Sequence, residues 1–170
     1  LNHYTLNWQL ANSSYDDPNN HLLNTVFLYI LRLIFGVNTF ALRLHVLIIG
    51  SLIPFLSYVI GHLYYDKRVG LVAASLSATA PLLIFYSAVA RGYIIQTGLF
   101  LILIILSYEI IKRNNLFAWF LFIVITALAF YTLPTTVYLY SGLSISLLLS
   151  FTQYIDWWEK TTTYIASSVL

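Results

Sequence analysis

Residues 44–90 read "LHVLIIGSLIPFLSYVIGHLYYDKRVGLVAASLSATAPLLIFYSAVA", two apolar runs joined by the charged cluster "YYDKRVG" at 64–70. No charge interrupts residues 44–65 or 69–90, and a helix needs roughly 20 apolar residues to cross the hydrocarbon layer. The pattern continues downstream. Residues 92–108 are uncharged, and the uncharged run 114–155 is about twice the length of one crossing, so it reads as a helical hairpin. Lipid holds no water to pair with backbone amides, so a span must be a helix or part of a closed barrel. These runs lack the period-two alternation of a barrel strand. The fold class they imply is all-α: a polytopic transmembrane helix bundle of about five spans plus an outer interfacial helix.

Composition agrees. Hydrophobic residues fill 60% of the 170 positions and charged residues 8%, against about a quarter charged in soluble domains. The N-terminal stretch "LNHYTLNWQLANSSYDDPNNH" is polar and aromatic, without the charged-then-apolar order of a secretory signal. Methionine is absent even at position 1, and the C-terminal "ASSVL" has no polar tail. The chain is therefore expected to be an internal piece of a longer protein. Cysteine is absent too, which excludes disulfides and thiolate metal sites.

The clusters at 64–70 and 109–115 are separated by two spans and so share a side of the bilayer. Lys and Arg collect in cytoplasmic loops, which puts that side in the cytoplasm. "DWWEK" at 156–160 follows two more spans and joins it, with Trp157 and Trp158 suited to an interfacial belt. Arg32, Arg43, Arg91 and the polar N-terminal segment then lie outside. The spans are expected at 40–63, 70–87, 93–111, 116–132 and 136–151. Pro134 supplies the turn in the long run, whereas Pro54 and Pro81 fall inside spans and mark kinks. "LLNTVFLYILRLIFG" (22–36) is short for a crossing. Its Asn24, Thr25 and Arg32 share one arc of the helical wheel, so it reads as a helix lying along the outer interface, apolar side down. A tilted extra span running on through "VNTFAL" is the competing reading; it would invert everything downstream, against the basic clusters. The organisation expected is an extracytoplasmic loop with interfacial helix over 1–39 and a transmembrane core over 40–170.

Arg91 is the first candidate for chemistry. Intramembrane charges are costly and usually face a cavity or a partner. At the outer end of a span Arg91 can simply snorkel to the interface. Alternatively its five fixed donors match the oxygens of a phosphate or carboxylate, with Tyr86 and Tyr93 on either side. "SSYDDPNNHLLN" is the second. Asp17 before Pro18 is a good helix start, but Asp16 and Asp17 together can also hold a divalent cation or assist as a general base. His21 can donate to a phosphate or be merely accommodated. His45, His62 and Gln96 are suited to hydrogen bonds between helices, His62 and Asp66 alone do not make a metal site, and "NSS" at Asn12 fits a glycosylation acceptor. No basic patch is interleaved with aromatics, so nucleic-acid binding has no support.

In order, "DDPNNHLLNT", "LIFG", "FALRL", "KRVGLVAA", "ATAPLLIFYS" and "ARGY" resemble the N-terminal membrane core of polyprenyl-phosphate-sugar-dependent glycosyltransferases of the GT-C fold. That group includes the dolichyl-phosphate-mannose protein mannosyltransferases (glycosyltransferase family 39) and the bacterial aminoarabinose transferase of lipid A. The resemblance covers about residues 15–140, and "ARGY" is similar to the family's "EARMY". Val89 stands in place of the usual acidic residue, and "NNH" where many relatives carry His-Pro-Pro or Lys-Pro-Pro, which leaves subfamily and acceptor open.

The resemblance implies an integral membrane enzyme, of a prokaryotic plasma membrane rather than the endoplasmic reticulum. It would transfer a sugar from a polyprenyl-phosphate donor to a protein, lipid or glycan acceptor on the extracytoplasmic side. It implies that His21 and Arg91 contact the lipid phosphate and Tyr93 shapes the cavity. The main acidic base would precede Leu1, with Asp16 and Asp17 as assistants or ligands of a divalent cation, and the isolated fragment would be inactive. The rival readings are a transporter for an anionic solute and a non-catalytic membrane subunit.

Overall fold

A computed structural model describes residues 21–113 and 115–150. Asp16, Asp17, Asn12 and the "DWWEK" segment lie outside the described residues. Among the described residues the chain forms seven helices and no strand: α1 Leu22–Phe35, α2 Thr39–Tyr64, α3 Lys67–Thr79, α4 Pro81–Ala88, α5 Tyr93–Arg113, α6 Leu116–Thr132 and α7 Thr136–Ser150.

Polar residues between the apolar runs set the helix starts. The Asn38 side chain accepts the Phe40 N–H, Asp66 accepts those of Arg68 and Val69, and Asn115 accepts that of Phe117, so each satisfies amides a helix start leaves unpaired. Asp66 is thus a cap. Gly36, at φ +71°, ends α1 with its N–H on the Arg32 carbonyl, a backbone setting that favours glycine.

α2 and α5 are long and apolar enough to cross a membrane, and α3 with α4 make a third crossing if the pair is one broken span. The break is sharper than a kink. Ala80 is extended, as the residue before a proline tends to be, Pro81 opens a new helix, and the axis turns by 57°. Pro54, by contrast, is accommodated within α2. α6 and α7, with 17 and 15 residues, and α1, with 14, are shorter apolar helices.

α2 and α3 pack backbone to backbone. A Cβ on Gly61 would sit 2.7 Å from the Gly70 Cα, and one on Gly70 would sit 2.7 Å from the Tyr58 carbonyl oxygen. Such small-residue contacts let helices meet where lipid supplies no hydrophobic drive between them. α5 is the central element. Its Ile94 and Ile95 pack with Val46 and Ile53 of α2, and its Leu103 and Ile110 with Ala118 and Phe122 of α6 and Leu147 of α7. Leu33, Ile34, Leu76, Phe85 and Phe117 project outward, as they would toward lipid.

The Tyr64 and Tyr108 rings meet at 5.1 Å, so the two basic clusters share one end of the bundle. The start of α1, the α4–α5 connection and the α6–α7 turn gather at the other.

Candidate functional site

The α4–α5 connection is "VARG", residues 89–92, and two sets of contacts place it. The Arg91 N–H donates to the Val89 carbonyl at 2.7 Å, and the Ala90 carbonyl accepts from Asn24 Nδ2 of α1 at 3.1 Å. Gly92 lies against His21 and α6: a Cβ there would be 2.8 Å from the His21 Cβ and 3.2 Å from Thr132 Cγ2. The approach of His21 therefore requires a residue without a side chain between Arg91 and Tyr93.

His21 immediately precedes α1 and is buried at 4% exposure. Its ring meets Tyr93 edge-on at 4.8 Å, and Tyr93 meets Tyr86 of α4 at 4.9 Å, so three of the residues singled out in the sequence form one aromatic row. Its carbonyl accepts from the backbone and the hydroxyl of Thr25. Both of its ring nitrogens, however, are buried without a hydrogen-bond partner. Buried polar atoms are rarely left so. Burial, and secondly the positive charge of Arg91, hold the imidazole below its ordinary pKa of 6.5. Arg91 itself is exposed, and its guanidinium makes no hydrogen bond or ion pair with a described residue.

Asn24 and Thr25 correct the reading of α1. Two of the three residues on its polar arc do not face water: both are buried against the protein, whereas Arg32 is half-buried. Asn24 Oδ1 lies 2.9 Å from His45 Nε2 of α2, and His45 stacks on Phe27 at 5.5 Å. Gln96 Nε2 donates to Thr136 Oγ1 at 3.2 Å, and that hydroxyl donates to the Ala129 carbonyl at 2.8 Å, tying α5 to the α6–α7 turn. His45 and Gln96 thus bond between helices, whereas His62 is exposed and stacks on Tyr58 of its own helix. Asn24, Gly92 and Thr132 had not been singled out as site residues. The one sequence signal was Asn24, an amide within an otherwise apolar run.

A groove of about 360 Å³ lies between α2 and the α3–α4 pair, lined by Leu47, Gly50, Ser51, Pro54, Ser77, Leu83, Ile84 and Ser87. Its hydroxyls are already used: Ser51 donates to Ile48, Ser77 to Ala73, and Ser87 to Leu83. The groove therefore presents an apolar lining, and Leu47 and Ala88 also line a second hollow containing Arg43 at the Arg91 end.

The sequence pattern of the dolichyl-phosphate-mannose-protein mannosyltransferase family matches residues 22–170. The chain belongs to that family. The mannosyltransferase match takes in Asn24, Arg91, Gly92 and Tyr93 and begins immediately after His21. No curated protein and no solved structure matches the chain. Mannosyltransferases of this family are membrane glycosyltransferases using a polyprenyl-phosphate-linked sugar, and the apolar helices described above agree with that setting.

The described residues include two carboxylates, both at the far end of the bundle. Asp66 caps α3, and Glu109 pairs with Arg113 at 3.4 Å. No group of three His, Cys, Asp or Glu forms among the described residues.

Proposed function

We propose that this protein transfers a sugar from a polyprenyl-phosphate donor to an acceptor hydroxyl at the extracytoplasmic face, with Arg91 and His21 holding the donor phosphate. The observation that carries this reading is the pairing of a guanidinium that has no partner among the described residues with a buried imidazole whose two ring nitrogens have no hydrogen bond, in a chain of this family. Both groups can satisfy phosphate oxygens, Arg91 through its fork of donors and His21 through N–H. Tyr93 fixes the imidazole edge-on. The groove toward Pro54 suits the apolar chain of the same lipid.

In the reaction the acceptor oxygen forms a bond to the anomeric carbon as the bond from that carbon to the phosphate oxygen breaks. The electron pair stays on the phosphate, and the acceptor's proton passes to a carboxylate. Charge on the departing phosphate grows through the transition state, so a fixed cation beside it lowers the barrier. The base is not among the described residues; Asp16 and Asp17 are the acidic side chains nearest in sequence to His21 and fit an assisting or cation-binding role.

The full topology belongs to the same reading. α2, the broken pair α3–α4, α5, α6 and α7 make five crossings, α1 lies along the outer interface, and both basic clusters face the cytoplasm. α6 at 17 residues is at the lower limit of about 17 for a crossing, and the 15 described residues of α7 fall just short of it. The direct test is Arg91→Ala in the full-length membrane protein: transfer should fall by at least about a hundredfold with unchanged abundance in the membrane. Near-normal turnover would remove Arg91 from the mechanism.

A further inference from the structure

We infer that Asn24 is a positioning residue for Arg91, acting through the Ala90 carbonyl and held in orientation by His45. The role rests on the reading of Arg91 as a phosphate ligand, but its geometry is independent of that reading.

An amide buried in an apolar helix is costly unless both its ends are used. Asn24 uses both. Nδ2 donates to the Ala90 carbonyl at 3.1 Å, and Oδ1 lies 2.9 Å from His45 Nε2. The reverse orientation would set Oδ1 against a carbonyl oxygen, so the amide has one acceptable setting, and His45 must carry its proton on Nε2 to donate to Oδ1.

The bond falls on a particular peptide group. The carbonyl of Ala90 and the N–H of Arg91 belong to one planar unit. Asn24 holds its oxygen, and the Val89 carbonyl accepts its N–H at 2.7 Å. That plane is therefore held at both edges, in a non-helical connection whose ends are fixed by the Val89 N–H on the Phe85 carbonyl and by the packing of Gly92 against His21 and Thr132. Arg91 leaves the backbone from the end of this plane. The exposed guanidinium has no described partner of its own, so its starting point is fixed by Asn24 rather than by contacts of the side chain. A ligand that binds Arg91 then meets a segment already ordered, which lowers the entropic cost of binding.

The experiment uses the full-length protein in detergent and compares Asn24→Ala, Asn24→Asp, His45→Gln, Arg91→Ala and the double variant Asn24→Ala/Arg91→Ala. Two readouts are needed: amide hydrogen exchange across residues 89–92, and the affinity for labelled dolichyl phosphate. Asn24→Ala should speed exchange there by about tenfold or more while the α5 core amides keep their protection. It should weaken dolichyl phosphate binding about tenfold in the wild-type background and less than about twofold in the Arg91→Ala background. Asn24→Asp, which keeps an acceptor for His45 but turns an oxygen toward Ala90, should match Asn24→Ala. His45→Gln, whose amide nitrogen reaches the place of Nε2, should stay near wild type.

Unchanged exchange at 89–92, or equal losses of affinity in both backgrounds, would overturn the positioning role. If Asn24→Asp fails to fold, Asn24→Ala and His45→Gln still decide it. Should Arg91→Ala bind dolichyl phosphate normally while exchange responds to Asn24 as described, the geometry stands and the reading of Arg91 as a phosphate ligand fails.

Discussion

Gly92 and His21 share one space: a Cβ added at Gly92 would lie 2.8 Å from the His21 Cβ and 3.0 Å from its Cγ. Neither atom is the free end of a flexible chain. Gly92→Ala must therefore push the start of α1 away from α5 and part the His21–Tyr93 ring contact. Overpacking of this kind costs about 1–3 kcal/mol. Thermal unfolding in detergent should show a lowered midpoint, together with weaker binding of dolichyl phosphate.

A second glycine separates folding from the site. Gly70→Ala would place its Cβ 2.7 Å from the Tyr58 carbonyl oxygen, which is backbone and cannot swing aside. The α2–α3 crossing should loosen by about 1–3 kcal/mol. The contacts around Arg91 lie at the other end of the bundle. In protein still folded, affinity for dolichyl phosphate should remain within about twofold of wild type, because distant sites act independently.

The titration of His21 sets a pH dependence with two opposing signs. Burial, and then Arg91, lower its pKa beneath 6.5 in the folded chain, so at neutral pH the ring is uncharged. The unfolded chain takes up the proton first as pH falls below 6.5. The contribution of this site to stability is therefore present above that value and lost as pH drops through the lower folded pKa. A bound phosphate reverses the preference, since it favours the imidazolium. Arg91 is the charged group acting on His21 and Tyr93 the titratable one in ring contact with it. Dolichyl phosphate, a monoester with a second pKa of about 6, itself loses charge over this range, so the sign is read against the variant: acidification below neutral pH should raise wild-type affinity relative to that of His21→Gln. Parallel profiles in wild type and variant would exclude a contribution from His21.

Residues 1–170 contain no cysteine, so a single cysteine placed among them in a full-length protein cleared of any other cysteine reports topology. Ala88 and Lys112 are both exposed, near opposite ends of the bundle. Ala88→Cys should react with an impermeant maleimide from the extracytoplasmic side of sealed cells, and Lys112→Cys only after permeabilisation. The reverse pattern would invert the proposed orientation.

Helix limits were readable because apolar run length and capping residues act locally. The limits expected for residues 116–132 coincide with α6, Gly36 closes α1, and Pro134 lies in the turn before α7. The sharp turn at Pro81 was not readable. A proline announces a missing amide and a restricted neighbour, but the 57° angle depends on what the two halves pack against. The direction of Asn24 and Thr25 was hidden for a related reason. A helical wheel groups polar residues without distinguishing water from a carbonyl on another helix. Arg91, His21 and Tyr93 were visible as residue types in a family-like order. Their meeting through Gly92 needed three dimensions, because residues 21 and 92 are separated by the whole of α1 to α4.

The central claim is that the Arg91 guanidinium holds the phosphate of a lipid-linked donor. It is tested most directly by titrating labelled dolichyl phosphate into purified full-length protein and into its Arg91→Ala variant, with matched unfolding midpoints confirming that both are folded. A charge-assisted contact of this kind predicts affinity weaker by about tenfold or more in the variant. Equal affinity in the two proteins would contradict it.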